Sequence, residues 1–268
     1  SASPRAKRTR IADLNVDAVA HGMATILVQS NEGLVTVGSG TTAESLLATP
    51  EWRRALGNFE ARDPGRHLRY ADPLGEPDLR DACAARVQQA TPEGMVVTFG
   101  AIEALNLTFA ATAAATGSRR IGVESPGYFM IPSMVEELGL TPVPIPRNED
   151  GLDLDRLRHE CRTAPLAALM VNPNHHNPTG NTLSLSQRFE LAALAQEKGF
   201  FIIEDDVYKG FWSTKEEPDA VFSMLAERTL YVTSCSKTLG PALRVGFVAS
   251  RSPIIDRIRN KKIVSTLT

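Results

Sequence analysis

The fold that this sequence predicts is an α/β domain, with a mostly parallel sheet covered by helices on both faces. Two observations predict it: short apolar runs alternate with helical stretches, and few other layer architectures accommodate that order. A third permits it. With 268 residues, 43% of them hydrophobic and 22% charged, the chain has an ordinary globular balance and can bury a sizeable core without staples. Length alone leaves one large domain or two modest ones open.

Residues 1–45 lack sustained periodicity and read as an N-terminal arm or linker. Arg5, Lys7, Arg8 and Arg10 form a short basic run, expected as a solvated tail, with a linker remnant from an upstream domain as the alternative. Gly38-Ser39-Gly40 looks like a turn, and no GxGxxG follows a strand, so a dinucleotide fingerprint is absent. From residue 46 to 268 the alternating pattern reads as one domain. Residues 78–89 carry Leu79, Ala82, Cys83 and Val87 at helical spacing. A β-rich run at 95–99 is separated by Gly100 from an Ala-rich helix at 101–115. Further strand candidates lie at 121–123, 142–145, 167–171, 200–203, 230–233 and 245–249. Ser184 and Gln187 have capping-box spacing ahead of a helix that Gly199 ends.

Charge and cysteines exclude several classes. A formal net charge of −2 gives the whole chain no basic footprint, so no nucleic-acid partner is expected through this segment. Cys83, Cys161 and Cys235 are too few and too scattered for a disulfide framework or a CxxC site. The N-terminal residues are polar and basic, and the most apolar tract, 105–115, falls short of the ~18 residues a membrane span needs. A cytoplasmic protein with no membrane partner is the expectation.

In open α/β sheets, ligands sit at the carboxyl ends of the strands. Three polar stretches follow predicted strands. Ser234-Cys-Ser236-Lys237 precedes Arg244; a lone lysine near a turn is usually a solvated charge, but here it stands between hydroxyls, with an arginine seven residues on. That context offers a Schiff-base amine and a phosphate-gathering set, Ser234, Ser236 and Arg244. Asn172-Pro-Asn-His175-His176-Asn177-Pro-Thr-Gly180 reads by itself as a tight turn. Its paired histidines lack a third ligand at metal spacing. Glu204-Asp205-Asp206-Val-Tyr208 puts three acids at a strand end, either solvated or able to bind Mg²⁺. The strand exit places Asp205 and Tyr208 where both can face one ligand.

Together, and in this order, the three stretches resemble the fold-type I pyridoxal 5'-phosphate (PLP) enzymes of aminotransferase class I/II. The resemblance covers about residues 66–250. Tyr70-x-Asp-Pro-x-Gly75 and the Ser-Lys-Thr-Leu run bring it nearest to the aminotransferase-like domains of MocR-type regulators and to 2-aminoadipate aminotransferases. It implies that 46–268 is a PLP-binding large domain. Lys237 would hold the cofactor as a Schiff base and then move protons, a role that needs a lowered lysine pKa. Asp205 would pair with the pyridine nitrogen and keep the ring an electron sink. Asn177 and Tyr208 would donate to the phenolate oxygen, and Tyr128 would stack on the ring. Gly100, Ala101 and Ile102 would cradle the phosphate with backbone N–H groups at a helix N-terminus, completed by Ser234, Ser236 and Arg244. Tyr70 would reach the phosphate of a neighbouring subunit, which implies a homodimer with shared sites.

Each role has a plainer competitor: core packing for Tyr128, a surface turn for Tyr70, turn shaping for the histidines. Asp206 reads as a solvated or structural acid, and Cys235 as packing beside the lysine loop. The sequence departs from the family pattern at Phe99 and Ile102, where relatives often carry polar side chains. No residue matches the arginine that clamps a substrate carboxylate, and the C-terminal small domain and the winged-helix domain of MocR regulators are expected to be missing. The leading function is therefore amino-group transfer between an amino acid and a 2-oxo acid. A ligand-sensing domain of a MocR/GntR-type transcriptional regulator is the first alternative, and a PLP-dependent lyase or decarboxylase the second.

Overall fold

A computed structural model describes residues 22, 23, 42 and 47, and then 49–62, 70–211 and 219–266. The basic run and Gly38–Gly40 lie outside the described residues. The chain divides into units 1–41 and 42–268, and the sheet with its covering helices belongs to the second.

Eight strands form one sheet: β1 (Met95–Thr98), β2 (Arg120–Ser125), β3 (Thr141–Asn148), β4 (Gly151–Leu152), β5 (Ala168–Val171), β6 (Phe201–Asp205), β7 (Thr229–Ser234) and β8 (Gly246–Ala249). Their spatial order is β1-β8-β7-β6-β5-β2-β3-β4. Pairs from β7 through β6, β5 and β2 to β3 are parallel, while β8 runs antiparallel to both β1 and β7 and β4 antiparallel to β3. The carboxyl ends of β1, β2, β5, β6 and β7 consequently share one edge with the amino end of β8. The expected mostly parallel sheet is present.

Burial on both faces follows from the two-residue period of a strand. Ala168, Met170 and Ile203 face one core, which α3 (Ala101–Thr116), α4 (Ile131–Glu137) and α8 (Ile254–Ser265) cover through Leu105, Phe109, Met134 and Ile258. Leu169, Val171 and Ile202 face the other, covered by α5 (Leu154–Thr163) and α6 (Leu185–Lys198) through Leu157, Leu191 and Leu194. Helix α3 is apolar nearly all round, as a buried helix must be. Its buried hydroxyls bond back to their own helix: Thr108 to the Leu105 carbonyl at 2.9 Å and Thr112 to that of Thr108 at 2.8 Å. Gly117, left-handed at φ +72°, closes it. Among the described residues no helix is long and apolar enough to cross a membrane.

Two local expectations need correction. The helix expected over 78–89 is α2 (Pro77–Ala84). Its chain then turns, with Gln89 at φ +66° and its amide donating to the Ser223 carbonyl at 2.6 Å. The capping box is half made. Ser184 Oγ accepts the Gln187 N–H at 3.2 Å, but the Gln187 side chain donates to the Asp150 carbonyl at 2.8 Å instead of reaching back. Helices α4, α5 and α8, together with α1 (Pro50–Arg62) and the one-turn α7 (Val221–Met224), are elements that the apolar runs did not mark.

Candidate functional site

Every sequence-predicted site residue except Tyr70 comes from a segment at the shared carboxyl edge. Gly100 and Ala101 follow β1, Tyr128 follows β2, Asn177 follows β5, and Asp205 ends β6 with Tyr208 just beyond. Lys237 follows β7, and Arg244 precedes β8. The parallel sheet thus gathers residues from distant parts of the chain.

Asp205 lies at the floor of this edge, 7% exposed. Val207 N–H donates to its carboxylate, yet Oδ1 is buried with no hydrogen-bond partner among the described residues. Burial, then the neighbouring Asp206, push its pKa up to about 7, with the Lys237 ammonium pulling the other way. An orphaned buried carboxylate oxygen is costly unless a donor fills the space before it. Solvation of the acidic run is ruled out, because Glu204 and Asp206 are fully buried too. Glu204 accepts the Val221 and Phe222 N–H groups at 2.9 and 2.8 Å. Asp206 accepts from Asn174 at 3.0 Å and from the Tyr231 hydroxyl at 2.8 Å, which makes it the structural acid.

Lys237 sits half-buried opposite, and burial lowers its pKa below that of an ordinary lysine, against the raising influence of Asp205. Its loop is tied down by contacts that sequence reasoning missed. Thr42 Oγ1 donates to the Lys237 carbonyl at 2.5 Å, and Trp52 Nε1 to the Leu239 carbonyl at 3.0 Å. Ser234, buried at the end of β7, accepts the Ser236 N–H at 3.4 Å. Cys235 is half-buried and bonds through its backbone N–H to the Val245 carbonyl at 2.8 Å.

The expected phosphate cradle is made of backbone. Gly100, at φ +80°, caps α3 without a side chain. The first N–H groups of a helix have no intrahelical acceptor, so those of Ala101 and Ile102 are offered outward with the positive end of the dipole. The side chain of Ile102 packs on the core and, with Phe99 and Arg244, lines a cavity of about 430 Å³, which explains how an apolar residue is accommodated here. Arg244, left-handed at φ +51°, donates to the Phe99 carbonyl at 2.9 Å, so its guanidinium lies against Gly100. A further missed residue is Gly246: a Cβ there would fall 2.6 Å from the Gly100 carbonyl carbon and 2.9 Å from the Thr233 oxygen.

Asn177 hydrogen-bonds the Tyr208 hydroxyl. Tyr128 is half-buried, and its hydroxyl pKa is raised by burial and by the nearby Asp205 and Tyr208. These three polar side chains therefore converge on the space before Asp205. The histidines shape the turn: buried His176 meets Thr179 Oγ1 at 2.9 Å through Nδ1, and burial with Arg147 nearby pushes its pKa down to about 4. Behind the turn lies a buried ion pair, Glu124–Arg147, which no motif marked. Tyr70 stands apart, 85% exposed, and this chain does not bring it to the site.

The arrangement fits PLP. An anion-ready helix terminus lies beside an arginine and two serines, a half-buried lysine follows, and an unsatisfied carboxylate stands where a ring N–H can donate. Comparison with known proteins agrees. LysN, an alpha-aminoadipate aminotransferase from Thermus thermophilus solved with N-(5'-phosphopyridoxyl)-L-leucine, is similar with a TM-score of 0.80 and 24% identity. The match covers 90% of this chain and 62% of that one. Aspartate aminotransferase from Thermus thermophilus with maleate gives 0.77 and 26%, covering 98% and 69%. Among sequence relatives, the HTH-type regulator YisV of Bacillus subtilis is 27% identical over 86% of this chain and 48% of its own length. The pyridoxine biosynthesis regulator PdxR of Corynebacterium glutamicum is 28% identical over 82% and 47%. The chain thus spans about half the length of these regulators. Residues 32–264 match the aminotransferase class I and II family, and the chain belongs to that family, whose cofactor is pyridoxal 5'-phosphate.

Proposed function

We propose that residues 46–268 hold PLP through Lys237 and serve amino-group transfer between an amino acid and a 2-oxo acid. The observation that carries this reading is the buried Asp205 Oδ1 without a partner, set where it shares the field of Lys237 and Tyr128. When bound, the cofactor supplies an electron sink for charge developing on a substrate carbon. The chain's own residues do the rest. Asp205 accepts a hydrogen bond from the ring nitrogen and, once ionised, keeps a proton there. Asn177 and Tyr208 donate to the phenolate oxygen, and Tyr128 covers the ring. Ser234, Ser236, Arg244 and the N–H groups of Ala101 and Ile102 hold the phosphate, while the Gly100 N–H, expected among them, donates to the Thr98 carbonyl at 2.8 Å. Lys237 Nζ, its basicity reduced by burial, would hold the cofactor until a substrate amine displaces it, and the freed amine would then be placed to take up the proton that the substrate Cα releases.

Tyr70, exposed in this chain, would serve the phosphate site of a second copy, so the working form would be a homodimer. Tyr70→Phe is expected to weaken PLP retention severalfold in a dimer. A monomer that holds PLP with unchanged affinity would remove this role.

Ligand sensing is favoured by a different observation: the regulators YisV and PdxR are named as HTH-type. One experiment separates the readings. PLP-loaded protein is given ¹⁵N-labelled amino acids and 2-oxoglutarate. Transfer of ¹⁵N to glutamate by wild type and not by Lys237→Ala supports transamination. A spectral response to the amino acid without nitrogen transfer supports sensing and contradicts the transferase reading.

A further inference from the structure

Asn172, the last residue before the turn after β5, is buried and uses every polar group it has. Its backbone N–H donates to Glu124 Oε2 at 2.7 Å, and its carbonyl accepts from Arg147 Nη1 at 3.0 Å. Glu124 and Arg147 are themselves a buried ion pair with side chains 2% and 0% exposed. The Asn172 side chain then faces the other way. Its Oδ1 accepts the Asn177 N–H at 2.9 Å, and its Nδ2 donates to the Asp205 carbonyl at 2.7 Å and to the Asn174 carbonyl at 3.3 Å. One amide thus spans two neighbouring strand ends and fixes two residues assigned to the cofactor ring, one on each side.

We infer that Asn172 is a positioning residue, which sets Asp205 and Asn177 at a fixed separation so that one ring can meet both. This rests on the cofactor reading given above. The physical need is plain. Asp205 must meet a ring nitrogen and Asn177 a phenolate oxygen on the same rigid ring, and errors of about 1 Å in such positioning cost on the order of 10²-fold. Neither β5 nor β6 sets that distance by itself, since β-pairing ends at Val171–Glu204. Asn172 extends the connection one residue past the ladder by a side chain. The Glu124–Arg147 pair holds its backbone at both ends, so the amide cannot swing. Only a group with donor and acceptor on one planar head does this, which is why the position needs asparagine.

The test compares wild type, Asn172→Asp, Asn172→Ala and, as a control in the same turn, Asn174→Ala. Asn174 bonds Asp206 and Arg188 through its side chain, so its loss strains the turn without removing a hydrogen bond to Asp205 or Asn177. Asn172→Asp keeps the shape and the acceptor for Asn177 and loses the donor to Asp205. PLP affinity and the pH midpoint of the bound-cofactor absorption are read for each protein. Asn172→Asp is expected to shift the midpoint by about one unit and weaken PLP about tenfold, and Asn172→Ala to weaken it further. Asn174→Ala is expected to keep the wild-type midpoint. An Asn172→Asp protein that folds with wild-type affinity and midpoint would overturn the inference, as would an equal shift in Asn174→Ala. If neither Asn172 variant folds, that too overturns it, because the residue is then a fold determinant. Wild-type protein that takes up no PLP would instead overturn the cofactor reading itself.

Discussion

Asp205 and Asp206 are adjacent carboxylates with opposite assignments: Asp205 ends β6 and Asp206 is the first residue past it. Asp206 is satisfied by Asn174 and Tyr231, whereas Asp205 keeps an unpartnered oxygen toward the site. Replacing them should therefore split stability from binding. Asp206→Ala strands two buried donors and is expected to destabilise the fold by about 2–3 kcal/mol. Asp205→Ala removes the orphaned oxygen together with the acceptor of the Val207 N–H, two effects of opposite sign, so the cofactor-free fold should change by less than about 1 kcal/mol. The same substitution should weaken PLP on the order of 10²-fold, by loss of a buried charge partner. Urea unfolding and PLP titration on both variants check this, and a pattern with the roles reversed contradicts it. The sequence shows three acids in a row and cannot show which faces inward. The D-x-x-Y spacing singles out Asp205, but the partners that occupy Asp206 come from distant segments and leave no local mark.

At the scale of elements, the site depends on how closely β1 and β8 approach beyond their last hydrogen-bonded pair, Thr98–Gly246. Gly246 has no room for a Cβ because Gly100 passes over it, with its Cα 2.8 Å from where that carbon would sit. Gly246→Ala is expected to displace the cradle, costing about 1–3 kcal/mol of stability and weakening PLP more than fivefold. A variant that binds PLP as wild type does would show that the approach is dispensable. Every strand but the two-residue β4 was legible, and so was α3, because continuous apolar runs and an Ala-rich stretch carry their own signal. The lost half of the 78–89 helix was not: Val87 is buried by packing that a turn satisfies as well as a helix does. The Gly246 requirement was illegible for the same reason, since it is set by a strand on the far side of the chain.

For the whole molecule, three buried carboxyls, Glu124, Glu204 and Asp205, have pKa values pushed up to about 7, chiefly by burial. Unfolded carboxyls titrate near ~4, so between about pH 4.5 and 7 the folded state binds more protons and stability falls as pH rises. His176, pushed down to about 4, acts in the opposite sense below its ordinary value of ~6.5. It is one group against three. Thermal melts of cofactor-free protein should therefore show a falling melting temperature from about pH 5 to 7.5, steepest at about pH 6 and levelling off above about pH 7. A melting temperature that rises across this window would contradict the assignment of these carboxyls as buried acids. The central claim is that the carboxyl edge of this sheet captures PLP through Lys237, and an absorption spectrum tests it most directly. Folded wild-type protein mixed with PLP should develop a new band, shifted from that of the free cofactor, that gel filtration does not remove and that Lys237→Ala lacks. No such band in folded wild type, or an equal band in Lys237→Ala, would contradict the account.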